Sequence, residues 1–294
     1  MKPQPNLSAT RGNPLGIGIF KLLLSCGGYR VSLLLAKAVT WFYAQFDRTA
    51  FDATKEYLML RFPEDAKSNR KLKRHFHRQI YELAKMLIIS YRMGTGKTLP
   101  LVETGETALP ATGGVVIVLA HYGCWQASME LINRKTERAV SVMARPDHNA
   151  NVDKFQAVRK KHDFKVISTE GFSGGLIEAS AALERGETVI VMGDRAVDGT
   201  AGALADYLGG KIELPLSPWM LAARNNVPAI PVFTEFKENP DRIEIRYCKA
   251  IVFPEQSRRI RPEELRSGID RYARELEEAA VRSPYQVFRF GNER

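Results

Sequence analysis

The chain has little cysteine and no apolar run as long as a membrane span. Its three cysteines, Cys26, Cys124 and Cys248, are widely spaced and odd in number. That fits neither a disulfide framework nor a metal-binding knuckle, and it suits a reducing compartment. From Leu15 to Phe46 the sequence is rich in leucine, yet Lys21, Arg30 and Lys37 break every window of the about 20 residues that a spanning helix needs. A clean apolar core with a small-residue cleavage site is missing near Lys2 and Arg11, so no secretory signal is expected. Repeats and low-complexity tracts are absent. Acids are fewer than bases, 33 against 43, for a formal charge of +10. This favours acidic partners: anionic head groups, phosphates, an acidic carrier protein or nucleic acid. The basic residues are spread rather than striped and form no reading module, so no nucleic-acid partner is expected. Gly94-Thr95-Gly96-Lys97-Thr98 mimics the end of a phosphate-binding loop but lacks its first glycine and the preceding strand; it reads as a loop. Arg258-Arg259-Ile260-Arg261 reads as a solvated face.

Apolar residues make up 45% of the 294 positions, enough for a substantial core. The Leu15 to Phe46 stretch joins leucine-rich faces, spaced cations and the aromatics Trp41, Phe42, Tyr43 and Phe46, as interfacial helices do. It is expected to associate monotopically with a membrane, the other reading being a helical hairpin packed on the core. Residues 1–48 are therefore taken as an amphipathic, membrane-associating region and 49–294 as one α/β domain. The chain is helical and basic from Thr49 to about Gly96. Beyond residue 115 short apolar runs at 115–120, 139–143, 165–167, 188–192, 229–234 and 243–247 alternate with helical patterns at 125–134, 153–162, 174–185, 218–225 and 262–283. That is the rhythm of an α/β sheet, whose site lies where strands end.

Among five histidines, only His121 follows a buried strand pattern, Val115 to Ala120, and opens a glycine turn, Tyr122-Gly123-Cys124-Trp125-Gln126. His75, His77, His148 and His162 lie in basic or polar surroundings. A rigidly held imidazole that a substrate hydroxyl can reach is a candidate general base. A core or turn histidine is the plainer reading of the residue taken alone.

His121-Tyr122-Gly123-Cys124-Trp125-Gln126, Ala144-Arg145-Pro146-Asp147-His148-Asn149, Gly193-Asp194-Arg195 and Tyr207-Leu208-Gly209-Gly210 follow one another at set spacings, with the tail Ser283 to Phe288 behind them. In order and spacing they resemble the bacterial lipid A biosynthesis acyltransferase family, over nearly the whole chain. The resemblance implies a glycerolipid-acyltransferase-like fold, a central mixed sheet flanked by helices, with an N-terminal membrane-associating helical segment. It implies transfer of a fatty acyl group from an acyl carrier protein or coenzyme A thioester to a hydroxyl of a lipid or glycolipid, without a bound cofactor or metal. The place of action is the cytoplasmic face of the bacterial inner membrane, with peripheral or monotopic attachment.

The family places an acid after the histidine where this chain has Gln126. The Gln126 carbonyl can fix a histidine tautomer, but a neutral amide does little for a developing imidazolium. The resemblance offers Asp194 as the supporting acid, although it could equally pair with Arg195 or cap a turn. Arg145 and Arg195 are candidates for a phosphate, Gly123 for close backbone approach, and Arg159 stands at a family-like position on the next helix. Trp125 and Tyr207-Leu208-Gly209 are candidates for the acyl channel, or else core. A Cys124 acyl-enzyme is the less favoured mechanism. The rival function is an inactive or altered homologue that binds lipid or carrier protein.

Overall fold

The computed structural model describes residues 28–94, 99–105, 109–110, 112–136, 138–144, 164–170, 173–196, 201–238, 241–254 and 260–288. Several expectations fall outside them: the first half of the Leu15 to Phe46 segment, the 95–98 loop, Arg145 and the rest of its motif, the 153–162 helix with Arg159, and Arg258 and Arg259. The described residues divide into a helical unit, 28–94 with Phe288, and an α/β unit, those of 99–287. The sequence reading puts its boundary after residue 48 instead. Residues 48–94 group with the first helix because their buried side chains meet one another and that helix.

In the helical unit, α1 (Gly28–Phe46), α2 (Arg48–Arg61) and α3 (Asn69–Gly94) are joined by tight corners. Asp47 starts α2 by accepting a hydrogen bond from the Ala50 N–H at 2.9 Å, which meets one of the four orphan donors of a helix start. Pro63 stops the pattern with a single 3-10 turn. Phe51, Tyr57, Leu58, Leu72, Phe76, Ile88 and Ile89 form the core. On α1 the buried positions are Ser32, Ala36, Thr40 and Ala44, one small residue every fourth position, whereas Leu34, Trp41, Phe42 and Phe46 are exposed. Thr40 adds no unmet polar group, since its hydroxyl donates to the Ala36 carbonyl at 2.7 Å.

The α/β unit is built on a seven-stranded sheet. Its strands are β1 (Leu101–Gly105), β2 (Val115–Leu119), β3 (Val140–Ala144), β4 (Lys165–Ser168), β5 (Thr188–Met192), β8 (Ala229–Lys237) and β9 (Arg242–Tyr247), in the order β1-β9-β8-β2-β5-β3-β4. Only the β8–β9 pair is antiparallel. The sheet is mixed and flanked by helices, as expected. β2, Val-Val-Ile-Val-Leu, is buried at every residue, the signature of a central parallel strand covered on both faces. The helices are α4 (Trp125–Lys135), α5 (Leu176–Glu184), α6 (Ser217–Arg224) and α7 (Pro262–Arg282).

The sequence reading missed β1 and a separate hairpin, β6 (Gly202–Tyr207) with β7 (Gly210–Pro215). β1 has four exposed residues of five, and β6 mixes alanine with Asp206, so neither shows an apolar run. Tyr207-Leu208-Gly209 forms the corner of this hairpin. Leu208 (φ 51°) and Gly209 (φ 75°) both adopt left-handed backbone, as a two-residue turn between twisted strands requires. Tyr207 is buried.

Candidate active site

Strand register alone brings the two expected residues together. β2 and β5 run parallel, with Val115 opposite Thr188 and Leu119 opposite Met192. His121 and Asp194 each lie two residues beyond their strand ends, so they emerge side by side at the carboxyl edge of the sheet, where open α/β folds place ligands. Gly193 makes the close passage possible. Its N–H donates to the Leu119 carbonyl at 2.8 Å, and an added Cβ would lie 2.4 Å from Val118 Cγ1.

His121 Nδ1 lies 3.0 Å from Asp194 Oδ1 and 3.1 Å from Oδ2. The His121 backbone N–H donates to Oδ2 at 3.1 Å. Asp194 therefore grips both the ring and the main chain of one residue. Its side chain is 4% exposed against 30% for His121, a buried anion beneath a reachable imidazole. Burial pushes the Asp194 carboxyl up, but the His121 charge, its hydrogen bonds and the neighbouring Arg195 guanidinium outweigh this and hold it well below the usual carboxylate range. An ionised Asp194 is only an acceptor, so Nδ1 carries the proton and Nε2 is the basic nitrogen. Trp125, the first residue of α4, sets its ring at 70° to the imidazole with centroids 5.8 Å apart.

Gln126 takes no part in fixing the tautomer. Nδ1 faces Asp194, and the Gln126 Oε1 is buried with no hydrogen-bond partner among the described residues. Gly123 does permit a close backbone approach, but to the protein itself. At φ 52° its missing Cβ would lie 1.8 Å from the Thr234 carbonyl oxygen, and its N–H donates to the Gln286 carbonyl at 2.8 Å. That amide is not available to an oxyanion. Cys124 is buried behind the same turn. Arg195 follows Asp194 directly; Arg145 and Arg159 lie outside the described residues. Among the described residues no three His, Cys, Asp or Glu side chains converge on a metal position.

Tyr272, Ser128, Thr234 and Gln286 support the site without having been singled out from the sequence. The buried Tyr272 hydroxyl on α7 donates to the Leu119 carbonyl at 3.0 Å, filling the second lone pair of the oxygen that Gly193 already uses. Tyr272 also stacks on Phe233 at 5.9 Å, and Phe233 meets Tyr122 edge-on at 6.0 Å. Ser128 on α4 hydrogen-bonds Thr234 on β8. No local pattern announces these contacts, because each joins residues at least 50 positions apart in the chain.

The fold is thus a mixed, mostly parallel α/β sheet with a histidine–carboxylate pair beyond two of its central strands. Residues 2–289 match the family described as bacterial lipid A biosynthesis acyltransferase, and the chain belongs to that family. It is thus of an acyltransferase family, as its motifs resemble. Comparison with curated proteins gave no match. Among solved structures, the chain is similar to the 1-acyl-sn-glycerophosphate acyltransferase PlsC of Thermotoga maritima. The two share 17% identity over 84% of this chain and 97% of that one, with a TM-score of 0.38.

Proposed function

We propose that this protein moves a fatty acyl group from a thioester of acyl carrier protein or coenzyme A to a hydroxyl of a membrane lipid or glycolipid, with His121 as general base. The carrying observation is the contact of Asp194 with His121 Nδ1 at 3.0 Å. It leaves Nε2 to take the acceptor's hydroxyl proton as the oxygen attacks the thioester carbonyl. The tetrahedral intermediate then collapses, the carbon–sulfur bond breaks, and the imidazolium returns its proton to the leaving thiolate. Asp194 balances the imidazolium charge, the work that Gln126 cannot do. Arg195, with Arg145, is proposed to hold a phosphate of the lipid or of phosphopantetheine, since a guanidinium forks onto two oxygens.

Attachment to the cytoplasmic face of the inner membrane is supported by α1. A helix that buries serine, alanine and threonine and exposes leucine, tryptophan and phenylalanine is suited to a neighbour more apolar than water. Among the described residues no helix is long and apolar enough to cross a membrane. Lying in the surface is the reading that fits. The formal charge of +10 suits both anionic lipid and an acidic carrier.

The test is transfer of a labelled acyl group from acyl carrier protein, and separately from coenzyme A, into bacterial lipid extract. Product that disappears in His121→Ala is expected. No His121-dependent product from either donor would overturn the enzyme reading and leave a lipid- or carrier-binding module.

A further inference from the structure

The turn that carries His121 is held at its other end by the C-terminal segment. The Gly123 N–H donates to the Gln286 carbonyl at 2.8 Å, and Tyr122 forms an antiparallel bridge with Val287. The Gln286 side chain meanwhile satisfies both main-chain groups of Phe236. The Phe236 N–H donates to Oε1 at 2.9 Å, and Nε2 donates to the Phe236 carbonyl at 2.8 Å.

Strand lengths explain why this carboxamide is needed. β2 pairs with β8 only over Ala229 to Pro231, although β8 runs on to Lys237. Past Pro231 no strand among the described residues pairs with the β2 side of β8, and a buried peptide group needs a partner to avoid about the cost of a lost hydrogen bond. A primary amide has the donor and acceptor of a peptide group, so the Gln286 side chain stands in for the missing strand. Its own backbone then passes the constraint to Gly123, two residues from His121. The segment is pinned just before this point as well. Arg282 Nε donates to Glu235 Oε2 at 2.9 Å, and the Ser283 hydroxyl bonds Glu235 Oε1.

We propose that Gln286 is a positioning residue for His121, a side-chain strand surrogate that fixes the histidine turn against β8. Asp194 sets the ring from the β5 side and Gln286 sets the turn from the β8 side. The catalytic consequence rests on the general-base reading of His121; the structural one does not.

Two variants and two readouts test it. In Gln286→Ala, the His121 ring resonance of protein with isotope-labelled histidine is expected to move while the other four stay, and the Gly123 amide to exchange faster. Acyl transfer should fall about 10- to 100-fold, the usual cost of a small misplacement. Gln286→Glu keeps the acceptor but sets a second oxygen against the Phe236 carbonyl until the acid is protonated, and burial raises a carboxyl's pKa. Its turnover relative to wild type at the same pH should therefore climb between about pH 8 and about pH 6. An unmoved His121 resonance in both folded variants, or a flat ratio, overturns the proposal. If Gln286→Ala does not fold, the Gln286→Glu ratio and resonance decide. A moved resonance in a protein whose wild type transfers nothing would sink the acyltransferase reading and leave the positioning role standing.

Discussion

In the sheet of the α/β unit every residue of β2 and the first eight of β8 are buried, and the large side chains Ile117, Leu119 and Phe233 point into protein. Along α1 of the helical unit the order is reversed. Ser32, Ala36, Thr40 and Ala44 are covered, while Leu34 is 72% exposed, Phe46 67% and Trp41 57%. Water drives the first arrangement, because each large apolar side chain removed from it contributes about 1.5–3 kcal/mol. The second forgoes that gain and packs helices through small residues, as helices do when their surroundings are themselves apolar. On the proposed membrane attachment the two regions face different surroundings. One holds a histidine–carboxylate pair at the edge of a sheet; the other offers an apolar face.

The largest effects belong to that histidine–carboxylate pair. His121→Ala is expected to lower acyl transfer by about 10²- to 10⁴-fold, the usual worth of a positioned base. Asp194→Asn should approach it, because an amide N–H directed at Nδ1 would place the ring proton on Nε2 and use up the basic lone pair. Gln126→Glu is the contrasting control. With Nδ1 already bonded to Asp194, it should change turnover far less than Asp194→Asn. Steady-state rates at one pH decide this. Equal losses at positions 126 and 194 would mean that Asp194 has no special part in supporting His121.

Next in size is Gly123→Ala. The new methyl carbon would meet the Thr234 carbonyl at 1.8 Å, and the residue sits at φ 52°. The turn must shift or the unit must unfold, so activity should vanish with a fall in Tm, measured by circular dichroism. Gly209→Ala in the hairpin has the same sign of φ, but its added carbon meets nothing within 4 Å. It should cost only the conformational strain, about 1 kcal/mol. The comparison separates crowding from backbone strain.

How much of this was written locally follows the same division. The sheet's core strands could be read from their apolar runs; Asp194 was offered only by the family resemblance, and it is the parallel register of β2 and β5 that carries it to His121. The hairpin and β1 could not be read, since an edge strand with polar faces has no periodic signature. Gln126 drew attention because it stands five residues after His121 where the family has an acid, whereas the carboxylate that meets the ring lies 73 positions on. The outward face of α1 showed as leucines and aromatics among cations, but which side they take depends on the small residues between them.

That face yields the third effect. Replacing Trp41, Phe42 and Phe46 together by serine should leave the fold intact, since all three are exposed. It should sharply reduce co-sedimentation with anionic phospholipid vesicles, at about 1–2 kcal/mol lost per side chain. Ala36→Leu works on the opposite side of the same helix. It should leave vesicle binding alone and destabilise the helical unit by about 1–3 kcal/mol through overpacking. If the triple serine variant still binds vesicles as wild type does, α1 is not built for lipid.

The smallest expected effect concerns acid, and it separates the two units by pH. His77 on α3 is held below the ordinary imidazole range, first by burial and then by the Lys37 and Arg78 charges, against the pull of a hydrogen bond to the Lys37 backbone. A folded-state pKa below the unfolded value of about 6.5 gives stability that is complete above it and is lost as pH falls through it towards the folded value. Asp194 is depressed from its ordinary value, so its contribution is present above about pH 4 and goes only as pH falls below that. Between about pH 7 and about pH 5, then, the helical unit should loosen while the sheet keeps its protection. Hydrogen exchange of peptides from residues 69–94 and 115–119 at the two pH values reads this directly, and His77→Gln should remove the change in the first without touching the second. Sheet peptides that loosen over the same window would show that Asp194 is not the buried, ionised partner its contacts make it.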